Sequence, residues 1–129
     1  MLFRSNDPTV TLNYVDAAEN EPLFARAAKE VLDIQVAAGI DVPTDGEVRR
    51  ENYIHYHCRH LNGFDFDRLE NRVLRDGAYQ TDLPAIRGDI SSKAPGYIVH
   101  DWKVAQGLCD RPVKVTLPGP LTIMDTTAD

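Results

Sequence analysis

The pattern that most constrains this chain is a unit that occurs twice: a helix-period segment, a short break, a β-prone run and a Gly-containing loop rich in polar groups. In the first unit, residues 21–38 place Phe24, Ala27, Ala28, Val31, Leu32 and Ala38 at helical spacing, with Arg26, Lys29, Glu30 and Asp33 off that stripe. Asn20 reads as an N-cap, and Pro22 falls in the first turn, where its missing N–H costs nothing. Gly39 supplies the stop, and residues 40–44 read as a short strand closed by Asp45-Gly46. In the second unit, residues 97–108 carry Ile98, Trp102, Ala105 and Leu108 as a buried stripe. After Asp110-Arg111-Pro112, a strand over 113–117 ends at Pro118-Gly119-Pro120. Helix, short loop, strand, repeated, is the signature of βα units in a parallel sheet.

Between the two units, a helix is expected over 50–62, with Ile54, Cys58 and Leu61 on one face and Gly63 ending it. The β-prone pieces 72–75 and 78–81 flank Asp76-Gly77, a hairpin signal, and a further strand is expected over 84–90. A whole (β/α)8 barrel takes about 250 residues, so the 129 residues here are expected to form a single partial barrel. A small free-standing α/β domain is the plain alternative.

Composition narrows the function classes. The net charge of −6 argues against nucleic-acid or anionic-membrane binding, which needs a basic surface. No apolar run approaches the roughly 20 residues that span a bilayer. The opening Met-Leu-Phe-Arg-Ser-Asn-Asp-Pro lacks the apolar core of a secretory signal. Cys58 and Cys109, the only cysteines, form no close pair, so a reducing cytoplasm is the expected setting.

In the barrel reading, loops at the C-terminal strand ends build the site. Asp45-Gly46-Glu47-Val48-Arg49-Arg50 is such a loop, and Asp45, Glu47 and Arg50 are its candidate substrate-binding side chains. A carboxylate holds a ligand ammonium by a charge-assisted hydrogen bond, and an arginine holds a carboxylate or phosphate with its planar fork. A solvated Asp-Gly turn accounts for the stretch equally well. Asp89, in Gly88-Asp89-Ile90-Ser91-Ser92, is the fourth candidate, with a simple turn or helix cap as its alternative.

His55-Tyr56-His57-Cys58-Arg59-His60 offers four metal donors in six residues. On a helix, however, His55 and His60 point roughly 140° apart, so one ion cannot take all four. His100 and Cys109 are the only other soft donors, which leaves Cys58 as core and the histidines as packing groups. His100-Asp101 are adjacent on a helix and do not face each other.

Four segments in order resemble the early part of the catalytic barrel of the cobalamin-independent methionine synthase family. They are Gln35-Val36-Ala37-Ala38-Gly39-Ile40-Asp41-Val42 running into Asp45-Gly46-Glu47; Arg49-Arg50 through His60-Leu61-Asn62-Gly63-Phe64; Gly88-Asp89-Ile90-Ser91; and Asp110-Arg111-Pro112-Val113-Lys114 with Gly119-Pro120-Leu121-Thr122-Ile123. The resemblance implies a barrel of the methionine synthase/uroporphyrinogen decarboxylase type, lacking here its first strand and its later, zinc-binding half. It also implies transfer of a methyl group to the thiol of homocysteine, giving methionine, with zinc on the substrate sulfur and the zinc ligands outside this chain. Glu47 takes the place of the family's amino-acid-binding glutamate. Tyr79-Gln80 stand where the family has an Arg-Cys pair on the methylfolate, and Thr126 stands where it has a pterin-stacking Trp. The methyl donor therefore stays open. A related barrel acting on another thiol or a tetrapyrrole, or a non-catalytic metal- or partner-binding domain, are the alternatives.

Overall fold

The computed structural model describes residues 18–74 and 76–129, with Tyr79 described in its backbone only. The opening segment, the end of the 72–75 piece at Arg75, and the Tyr79 side chain lie outside the described residues. A 3-10 turn, Ala18–Asn20, leads into α1, Glu21–Ala37. Asn20 makes no side-chain cap: the turn before it already holds its backbone at φ −82° and ψ −12°, whereas a capping residue needs an extended backbone. Phe24, Ala28 and Leu32 form the buried face, one helical turn apart. Ala38 lies beyond the helix and is exposed. The chain leaves α1 at Gly39, with the Ile40 N–H donating back to Gln35 O at 3.0 Å, a Schellman closure.

The expected strands at 40–44 and 113–117 lie side by side and parallel, but they share one bridge, Thr44 with Lys114, where Lys114 N donates to Pro43 O at 3.0 Å. Upstream of that bridge, neither Pro43 nor Pro112 has an N–H to offer a ladder, so the pairing does not extend that way. Glutamine side chains take over the missing bonds. Gln35 Nε2 donates to Thr44 O (2.8 Å), and its Oε1 accepts from Thr44 N (3.0 Å). Gln106 does the same in the second unit, accepting from Val113 N and donating to Arg111 O, each at 3.0 Å. The core of the two units is Leu32, Ala105 and Val113, with Leu108 and Cys109 packed against it.

The helix expected over 50–62 is cut to α2, His55–Arg59. Asn52 is the cause: its Oδ1 accepts from Ile54 N (2.8 Å) and His55 N (3.0 Å), so the helix starts after it. At Leu61 the chain enters a strand, and Gly63 sits inside that strand rather than ending a helix. β1, Leu61–Leu74, pairs antiparallel with β2, Tyr79–Ser92, in one long hairpin that absorbs both the expected hairpin and the separate strand at 84–90. Its pairing is interrupted between Asn62 and Phe64 and between Asp65 and Glu70. Gly63 is required at the first break, because a Cβ there would sit 2.7 Å from Gly88 O and 2.9 Å from Asp89 O.

α3, Tyr97–Gly107, turns Asp101 and Ala105 inward, so the expected stripe is rotated. Trp102 stays at the margin, its Nε1–H on Val113 O at 3.0 Å. α4, Pro120–Asp125, follows the second strand segment, and Ala128 then bridges Ala85 in parallel. Among the described residues, no helix is long and apolar enough to cross a membrane.

Candidate functional site

The Asp45–Arg50 loop leaves the first strand segment in a tight turn built by its own side chains. Thr44 Oγ1 accepts from Gly46 N at 3.3 Å, and Asp45 Oδ1 accepts from Glu47 N at 3.0 Å. Both residues at the turn's tip have left-handed backbones, Gly46 at φ +70° and Glu47 at φ +56°. Gly46 also lies against α1, where a Cβ would come within 2.7 Å of Val31 Cγ1. A glutamate in this conformation costs roughly 1–2 kcal/mol, and such departures persist where the surroundings over-determine them.

Here the surroundings are Arg50 and Thr116. Arg50 N donates to Glu47 O (2.9 Å), and Arg50 Nη1 donates to Glu47 Oε1 (3.0 Å) and Thr116 Oγ1 (3.1 Å). Arg50 Nη2 donates to Thr116 O (2.9 Å), and the Thr116 hydroxyl donates to Glu47 Oε1. The Arg50 side chain is only 2% exposed, while that of Glu47 keeps 26%. Glu47, Arg50 and Thr116 form the floor of a cavity of about 320 Å³, walled by Tyr53, Leu117 and the Pro118-Gly119 loop. The two strand exits thus meet at one cavity.

The four candidate side chains separate. Glu47 faces the cavity, and among the described residues its Oε2 accepts no hydrogen bond. Arg50 lines the same cavity, but its side chain is buried and both of its terminal nitrogens donate to Glu47 or Thr116. Asp45 is buried and shapes the turn. Asp89 is exposed in β2 and is not among the residues that line this cavity. Arg49 points the other way, pairing with Glu21 (2.6 Å to Oε2) and approaching Asp101 at 3.9 Å. Its hydrogen bond holds the Glu21 carboxyl below its ordinary value, against partial desolvation.

Thr116 and Tyr53 line the candidate cavity and were not singled out from the sequence. The signal for Thr116 was its place, a hydroxyl one residue before the strand exit; nothing marked Tyr53. Tyr53 also borders a second cavity of about 460 Å³, where Asn52, His55, Asp82, Gln80 and Thr126 converge. Gln80 and Thr126, the two family departures whose side chains are described, thus come from distant elements to one place.

The histidine-rich stretch does not fit a zinc ion. His55 Nε2 is on Thr126 O (3.1 Å), His57 Nδ1 on Tyr97 Oη (2.6 Å), and His60 Nδ1 on Tyr56 O (2.8 Å), with the His60 ring stacked on Tyr97. Burial pushes the Cys58 thiol up to about 12, away from the thiolate a metal would need. Burial, then the charge of Arg50, drives His57 down to about 4. Among the described residues, no group of three or more His, Cys, Asp or Glu could hold a metal ion.

Set beside known proteins, residues 3–128 match the family described as cobalamin-independent synthase, catalytic domain, and the chain belongs to that family. The curated 5-methyltetrahydropteroyltriglutamate--homocysteine methyltransferase of Cronobacter sakazakii is 38% identical over 111 residues, covering 85% of this chain and 14% of that protein. Its counterpart in Salmonella paratyphi B is 37% identical with the same coverage. A solved structure of a B12-independent methionine synthase from Shewanella, in complex with selenomethionine, superposes with a TM-score of 0.79 at 32% identity. It covers 88% of this chain and 33% of that one. The chain therefore spans about one-seventh of the curated relatives it matches.

Proposed function

We propose that this chain is the part of a homocysteine S-methyltransferase that grips the amino-acid substrate, built as a partial (β/α)8 barrel and working in the cytoplasm. The observation that carries the reading is the placement of Glu47. Its side chain lines a cavity of about 320 Å³ shared by two adjacent parallel strand exits, with Oε1 anchored and Oε2 without a hydrogen bond among the described residues. Glu47 Oε2 would accept the ammonium of homocysteine and, after transfer, of methionine, a charge-assisted bond that fixes how the thiol is presented. The methyl group moves to the substrate sulfur, and no proton transfer by these residues is required. Zinc enters this reading only through ligands elsewhere in a complete barrel, since the described side chains do not fit it.

The second cavity is the donor side of the same reading. It adjoins the first through Tyr53, and it is lined by Gln80 and Thr126, which by the sequence resemblance stand where the family has its folate contacts. Its polar lining of Asn52, Gln80, Thr81 and Asp82 favours a donor recognised by hydrogen bonds, and leaves a different alkyl donor as the second reading.

Calorimetric titration of the chain with L-methionine tests the substrate assignment. Saturable binding is expected, lost in E47Q and unchanged in D89N. Binding that survives E47Q would overturn it.

A further inference from the structure

We propose that Thr116, with Arg50, is a positioning residue that pins one oxygen of Glu47, so that this half of the site reads a ligand's ammonium and not its carboxylate. The inference rests on the amino-acid-binding reading of Glu47 and adds to it what sets the selectivity.

Arg50, Thr116 and Glu47 close a ring of hydrogen bonds. Arg50 Nη1 reaches both Glu47 Oε1 (3.0 Å) and Thr116 Oγ1 (3.1 Å), and the Thr116 hydroxyl donates onward to Glu47 Oε1. A threonine hydroxyl has one proton to give and lone pairs to receive, so it fills both roles at once. Arg50 Nη2 is held by Thr116 O at 2.9 Å, so the guanidinium plane is fixed from the strand exit as well as from the loop. The loop and the strand are in turn tied by the Thr44–Lys114 bridge two residues upstream of Thr116.

Two consequences follow for a ligand. Glu47 Oε1 already accepts two hydrogen bonds, and Oε2 is the acceptor this cavity-lining carboxylate has left, so a single primary ammonium fits. Arg50, the one cation lining the cavity among the described residues, has a side chain only 2% exposed and three of its five N–H donors engaged, so its charge is largely withheld from a ligand carboxylate. The walls contributed by Tyr53, Leu117, Pro118 and Thr122 are uncharged. The floor therefore presents a negative charge and conceals the positive one.

The test is an NMR titration of the isotope-labelled chain with three probes: L-methionine, 3-(methylthio)propylamine, which lacks the carboxylate, and 4-(methylthio)butanoate, which lacks the amine. In the wild type, the first two are expected to shift the amides of residues 46–50 and 116–119 with comparable affinity, and the butanoate is not. T116V keeps the side-chain volume and removes the hydroxyl; it is expected to weaken the amine probe by about tenfold, the worth of one hydrogen bond to a charged group. It should also narrow the preference for amine over butanoate, because Arg50 Nη1 loses an acceptor. T116S is expected to restore both, and R50K, which keeps the charge without the fork, to behave like T116V. Wild-type affinity and selectivity in T116V and R50K, with binding lost in E47Q, would overturn the positioning role and leave the amino-acid site standing. Binding unaffected by E47Q, or no response to either amine in the wild type, would overturn both.

Discussion

Gln35 holds Thr44 by both of its backbone groups, donating to the carbonyl at 2.8 Å and accepting from the N–H at 3.0 Å. A side-chain amide thus stands in for a neighbouring strand at the residue that launches the Glu47 loop. Q35L leaves both Thr44 groups without that partner and is expected to lower stability by about 2 kcal/mol. Chemical denaturation measures this, and a midpoint unchanged from the wild type would show that the clamp is not needed.

Gly46 is where the loop and α1 press closest. G46A must place a Cβ 2.7 Å from Val31 Cγ1 on a left-handed backbone, and is expected to cost about 3 kcal/mol from strain and overpacking together. V31A removes the clash but not the backbone strain. The V31A/G46A double variant is therefore expected to lose about 1 kcal/mol less than the sum of the two single losses. Strict additivity in the double-mutant cycle would contradict the contact.

His57 sets a pH dependence whose sign is fixed by its burial. Its folded pKa of about 4 lies below its ordinary 6.5, so the unfolded chain binds the extra proton between those values. The stability it contributes is complete above about pH 6.5 and is lost as pH falls towards about 4. H57F, which cannot titrate, is expected to flatten the slope of unfolding free energy against pH in that window. An unchanged slope in H57F would assign the dependence to other groups.

The two thiols differ in the same physical terms. Cys58 is fully buried with its pKa pushed up to about 12, while Cys109 is half-buried. Thiol labelling of the native chain at pH 8 is expected to modify Cys109 first, and C109S to label only as the chain unfolds. Fast labelling of C109S under native conditions would mean that α2 opens readily.

The two long helices were legible because their apolar residues repeat at the helical period over three or more turns. Both parallel strand segments were legible as β-prone runs, but the extent of their pairing was not, because it is a single bridge supplemented by the side chains of Gln35 and Gln106. The 50–62 helix failed on a single residue: Asn52 offers its carboxamide to the backbone of Ile54 and His55, a competition that apolar periodicity does not register. The position of Glu47 just after a strand segment, beside a cavity, was legible in the sequence. The division of labour between Arg49 and Arg50 was not, since adjacent residues leave a turn in opposite directions and only the packing of Glu21 and Thr116 shows which arginine goes where. The setting of Asp89 in β2 was not legible, because the hairpin register, with its two interruptions, is a property of the paired strands and not of either one.

The most direct measurement is a crystal structure of the chain with L-methionine bound. The ligand ammonium is expected within about 3 Å of Glu47 Oε2, with Arg50 and Thr116 still on Oε1. Methionine seated elsewhere, or its ammonium turned away from Glu47, would contradict the central claim.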